Sequence, residues 1–86
     1  MNLRQEAIGR ECQIRLEGCN VEPCCLCHFR LIGISGMGIK PPDQIGAWGC
    51  ANCHRIVDSY KDPQTQLDFA HGVFRTQAIL IKEQKL

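Results

Sequence analysis

Eighty-six residues with ten basic and nine acidic side chains give a net charge of +1, which by itself selects neither a polyanion nor a membrane surface as partner. A chain this short has room for one domain, 1–86, and folds of this size commonly lean on a metal or on disulfides because they bury so little surface. No apolar run approaches the length of a bilayer span, and the N-terminal MNLRQEAIGR lacks the apolar core of a signal peptide. The seven cysteines are odd in number, so a secreted disulfide scaffold is a weaker reading than a cytoplasmic protein whose thiolates hold metal.

In chain order, Asn2 and Gln5 form a capping pair for a short helix through about Ile8, with Gly9 suited to its C-terminal end. Cys12 to Leu16 alternates as a strand does, and Glu17-Gly18 turns the chain into Cys19. The segment from Cys24 to Ile32 alternates again, with Cys25, Cys27, Phe29 and Leu31 on one face and Leu26, His28, Arg30 and Ile32 on the other. Gly33 to Pro42, with three glycines and two prolines, is a loop. His54 to about Tyr60 reads as a short helix. Asp62 and Pro63 then open a longer helix to about Glu83, in which Leu67, Ala70, Phe74, Ala78 and Ile81 recur at three- and four-residue steps. Gly72 costs that helix roughly 1 kcal/mol against alanine.

Cys50-x-x-Cys53 is the strongest local signal, because two thiolates at this spacing can grip one tetrahedral ion when the chain turns tightly between them. Cys12 and Cys19 stand at the two ends of a strand-turn segment that can bring their sulfurs to one point. Cys24 and Cys27 offer the competing pair, but positions three apart in a strand point to opposite faces. The favoured cage is therefore Cys12, Cys19, Cys50 and Cys53 around a structural zinc, leaving Cys24, Cys25 and Cys27 as small buried hydrophobes.

His28 lies on the strand face opposite Cys27, and His54 follows directly after Cys53. Asp58 is four residues beyond His54, so the two share a helical face. One divalent ion held by His54 and Asp58, beside a neutral imidazole acting as base, is the equipment of metal-assisted phosphodiester hydrolysis.

The order of these elements resembles a known family. Glu11-Cys12-Gln13-Ile14-Arg15 through Gly18-Cys19-Asn20 is followed by His28-Phe29-Arg30, by Ser35-Gly36-Met37-Gly38-Ile39-Lys40 through Asp43, by Trp48-Gly49-Cys50-Ala51-Asn52-Cys53-His54, and by Phe74-Arg75-Thr76-Gln77. Together they are similar to the HNH (His-Me finger, ββα-metal) nucleases, and within them to small phage and prophage proteins. The resemblance covers nearly the whole chain. It implies an α+β fold: a small zinc-stabilised ββα-metal domain with a short β-hairpin and a long C-terminal helix. It also implies an endonuclease acting on DNA in the cytoplasm of a bacterial host, with His28 as general base and His54 as ligand of a catalytic Mg, Mn or Zn ion. Two positions depart from the family pattern. Cys27 replaces the acidic ligand that often precedes the base, and Asp43 is the nearest polar residue to the missing central asparagine, where it can orient His28 or ligate with His54.

Each assignment has a plainer counterpart. His28 can be a half-buried strand histidine, Asp43 a turn residue after two prolines, and Asp58 a solvated partner of Arg55 or Lys61. His71 and Trp48 read as structural. The Gly36-Met37-Gly38 loop and Lys40 suit either a phosphate contact or a surface turn, and Arg15 and Arg30 either phosphate contacts or exposed strand ends. The competing function classes are a non-catalytic zinc module that binds nucleic acid or protein, and a thiol redox protein working through Cys24 to Cys27. Nothing in the sequence specifies an oligomeric state.

Overall fold

The computed structural model describes residues 2–30 and 41–86; the glycine loop and Lys40, like Leu31 and Ile32, lie outside them. Five elements follow in order: α1 (Leu3–Glu6), β1 (Cys24–His28), β2 (Gly46–Cys50), α2 (Ala51–Ser59) and α3 (Pro63–Lys82). The architecture is α+β, a two-stranded hairpin packed among helices, as the sequence leads one to expect. No helix among the described residues is long and apolar enough to cross a membrane.

The two strands pair antiparallel in a register that sets Cys24 opposite Cys50 and His28 opposite Gly46. Every residue of β2 is buried, because each face of the hairpin is covered. On one face Cys27 and Phe29 join Cys12, Ile14, Val57, Phe69 and Val73. On the other, Leu26 packs with Leu3, Ala7, Trp48 and Leu80. The period-2 alternation of β1 thus divides its residues between two clusters. Trp48 is core, as its sequence context suggests, and Arg10 lies 4.6 Å over its ring. Arg10 also grips both carboxylate oxygens of Glu83 at 2.6 Å, tying the first residues of the chain to the end of α3.

Three expectations need correction. Cys12 to Leu16 is not a strand: Cys12, Gln13 and Ile14 are buried in succession and Arg15 has a φ of 60°, which ends any extended alternation. This arm is held instead by single bonds, from the Cys12 amide to the Val21 carbonyl and from the Gln13 amide to the Trp48 carbonyl. The segment from His54 begins its helix earlier, at Ala51, because the Cys50 sulfur caps it. The third correction concerns α3. Its Asp62 cap and first-turn Pro63 are as expected, but its buried face is Phe69, Gly72, Val73, Thr76 and Leu80, while Leu67, Phe74 and Ile81 are 49, 64 and 60% exposed. Two apolar stripes share this helix, and periodicity alone could not tell which one faces inward.

Gly72 explains the choice. A Cβ there would stand 3.1 Å from the Gln13 carbonyl oxygen and 3.1 Å from the Ile14 Cα, so the absence of a side chain lets α3 lie against the Cys12–Ile14 arm. Arg75 locks the contact by donating from Nε and Nη2 to the same Gln13 carbonyl. Gly72→Ala should therefore lower stability in urea melts by about 1–3 kcal/mol, the opposite sign to the gain of roughly 1 kcal/mol that helix propensity alone would give.

Candidate functional site

Cys12 and Cys19 come from the N-terminal arm, Cys50 from the end of β2 and Cys53 from the first turn of α2. Their four sulfurs lie within 4.8 Å of one another and could hold a metal ion. Three of the four accept backbone hydrogen bonds. The amides of Cys53 and Asn20 donate to Cys50 at 3.5 and 3.3 Å, Leu16 to Cys53 at 3.4 Å, and Val21 to Cys19 at 3.4 Å. The left-handed backbone at Arg15, Gly18 and Val21 turns this arm around the cluster. Amides aimed at sulfur are what a thiolate needs and a neutral thiol does not.

Charge is distributed unevenly over the cluster. Burial raises the Cys50 thiol, but the donating amides of Cys53 and Asn20 outweigh it and bring the group down to about 6. Burial pushes the Cys53 and Cys19 thiols up, with neighbouring sulfurs adding to the effect. Charging all four together is unfavourable without a cation among them, and a dication removes that penalty. The Cys50–Cys19 separation of 3.8 Å matches the edge of a tetrahedron whose metal–sulfur bonds are about 2.3 Å long, an edge of about 3.8 Å.

The competing Cys24/Cys27 pair stays outside this cluster. Cys27 is buried as expected, and burial holds its thiol well above the ordinary range. Cys24 is likewise raised by burial, to about 12. Raised thiols are poor thiolates, which argues against a redox role for Cys24 and Cys27. Cys25 is the exception to the expected burial. It is exposed, and its sulfur lies 3.3 Å from Nδ1 of His54 and 4.0 Å from the Cys27 sulfur.

The histidines fall into two separate groups. Nε2 of His28 is 2.7 Å from Oδ1 of Asp43, and Arg4 reaches the same oxygen at 3.4 Å. The His28 contact, followed by the Arg4 charge, holds the Asp43 carboxyl below its ordinary range. Nε2 of His54 lies 3.2 Å from Asp58, while Arg55 bonds Asn52 and Lys61 bonds the Val57 carbonyl, so neither cation claims Asp58. His28 follows Leu26 on one face of β1, whereas His54 meets Cys25 and Cys27 on the other. Among the described residues the two imidazoles share no hydrogen-bond partner. His71 is exposed on α3.

Sequence reasoning missed Arg4 as a partner of Asp43, and no local signal marks that contact across 39 residues. It also missed the Cys25–Cys27–His54 group, for which a signal existed: Cys25 and Cys27 are two apart, on the strand face opposite His28.

The family model described as "Putative nuclease YbcO" matches residues 1–85. The protein named "Putative nuclease YbcO" in Escherichia coli strain K12 is 43% identical over 89 aligned positions, covering 95% of this chain and 93% of its own length. The protein of that name in Enterobacteria phage 82 gives the same values. A solved structure titled as a putative bacteriophage protein from Escherichia coli K-12 superposes with a TM-score of 0.77 at 36% identity, covering 96% of this chain and 100% of that one.

Replacing Cys53 by serine should remove one bound ion per chain, as measured by native mass spectrometry, and abolish the cooperative thermal transition. Retention of both would show the cluster to be a packed thiol core.

Proposed function

Since this chain belongs to the family described as Putative nuclease YbcO, we propose that it is a metal-dependent endonuclease of the HNH (His-Me finger) type, hydrolysing phosphodiester bonds in DNA in a host cytoplasm as a single domain. Cys12, Cys19, Cys50 and Cys53 hold a structural zinc, the ion that suits four thiolates in a closed tetrahedron. His28 is the general base, Asp43 positions it, and His54 with Asp58 forms the metal side of the site.

The observation that carries this reading is the 2.7 Å contact between His28 Nε2 and Asp43. A carboxylate accepting from Nε2 fixes that nitrogen as the protonated one and leaves Nδ1 as the lone-pair nitrogen that takes a proton from water. Asp43 stays ionised to do this because His28 and Arg4 hold its carboxyl down. A divalent ion bound at His54 would supply positive charge to the phosphate oxygens. Exposed Arg15, Arg30 and Arg55 are suited to neighbouring phosphates, contacts that position a strand without reading its sequence.

One observation favours a second reading. His28 and His54 have separate partners on opposite faces of β1, which a domain that keeps its zinc and binds nucleic acid without cutting it would tolerate.

The test is divalent-dependent nicking of supercoiled plasmid by purified protein. His28→Ala should lower it by about 10²–10⁴-fold, the usual worth of a general base, with the content of cage metal unchanged. Asp43→Asn should lower kcat while leaving KM nearly constant, since it orients the base and does not touch substrate. Nicking that survives His28→Ala would remove that residue from its role, and wild-type protein that binds DNA but never nicks it would establish the second reading.

A further inference from the structure

The geometry points to a second metal site, built from Cys25, Cys27 and His54, that takes a thiophilic ion of the zinc class in preference to magnesium. The three ligand atoms lie within 4.8 Å of one another. The Cys25 and Cys27 sulfurs are 4.0 Å apart and the Cys25 sulfur is 3.3 Å from His54 Nδ1. A tetrahedral zinc with bonds of about 2.3 Å to sulfur and about 2.0 Å to nitrogen has edges of about 3.8 and 3.5 Å, so small side-chain movements bring all three atoms to bonding distance.

The surroundings of the group fit an ion better than a chance meeting of side chains. The i, i+2 spacing puts both sulfurs on one face of β1, and the hairpin register holds that face beside the first turn of α2. With Nδ1 turned to the sulfurs, Nε2 is left 3.2 Å from Asp58, the carboxylate-behind-imidazole arrangement that orients metal-bound histidines. Asp58 thereby backs His54 and need not be a ligand itself. Three protein ligands leave a fourth position, and a cavity of about 370 Å³ lined by Cys25, His54, Arg55 and Asp58 opens beside them. Closed four-ligand cages are structural, whereas three ligands with an open position are the composition of sites that accept an exogenous group. Arg55 at the wall is the charge complement of an anionic one, such as a phosphate ester.

Two sulfurs, which release their protons to solvent as the ion binds, decide the choice of ion, because soft sulfur ligands favour zinc-class metals and disfavour the all-oxygen sphere magnesium demands. For the catalytic use of this ion the inference rests on the hydrolase reading, but its binding is read out separately from cleavage.

Native mass spectrometry of the full-length protein titrated with zinc, and then with cobalt as a spectroscopic probe, tests it. Wild type should take up a second ion after the four-cysteine cage fills, and cobalt there should show sulfur-to-metal charge-transfer absorption. Cys25→Ser, an exposed position whose change leaves the core intact, should lose that second ion alone, and so should His54→Asn. Magnesium in excess should displace no zinc. Saturation of wild type at one ion, or a second ion retained by both variants, overturns the site. Two ions without nicking would leave the site standing and sink the hydrolase reading. One ion with nicking would do the reverse.

Discussion

The gathering of four cysteine sulfurs is the constraint on which the rest of this small structure depends. An arm without regular secondary structure, running from Cys12 to Val21, brings two sulfurs to the junction of β2 and α2 and donates the Leu16 and Asn20 amides to the sulfurs of Cys53 and Cys50 there. Without an ion this junction would bury thiols that resist charging, and the arm would have few bonds of its own. With one, binding energy becomes folding energy, as in other small domains that lack the surface to bury a large core.

The arm then dictates how the helices lie. Its backbone at Gln13 and Ile14 is the floor on which α3 sits, at the one position where a glycine removes the obstacle. The same arm covers the Cys27 face of the hairpin through Ile14, and α1 and the end of α3 cover the other. With both faces occupied, the alternation of β1 sends neighbouring side chains to different partners. His28 and Asp43 stand on one side, and His54, Cys25 and Cys27 on the other.

Much of this was legible in the residues. The Asn2 and Asp62 caps, Pro63 at the first helical position and the alternation of β1 are local effects with local signatures, and all reappear in the structure. The gathering of Cys12 and Cys19 with Cys50 and Cys53 could be read because strand geometry ruled against Cys24 with Cys27. Other features were hidden, each for a physical reason. The buried face of α3 depends on a backbone contact with residues nearly sixty positions away, so the more obvious apolar stripe, through Leu67, Phe74 and Ile81, was the outward one. The Cys12–Leu16 segment alternates in sequence but is bent by the left-handed Arg15 toward sulfur, a conformation that no propensity of arginine suggests. Cys25 passed for a core residue because cysteine usually is one, and only the register of the hairpin against α2 brings it to His54.

The central claim is that an ion among Cys12, Cys19, Cys50 and Cys53 organises the chain. Hydrogen exchange on the metal-loaded and the chelator-stripped protein tests it most directly, read at the amides of Leu16, Asn20, Val21 and Cys53. Those amides should be protected when metal is bound and should exchange freely without it, together with the loss of protection in the hairpin. Equal protection in the two states would contradict the account, because packing and the arm's own hydrogen bonds would then hold it without the ion.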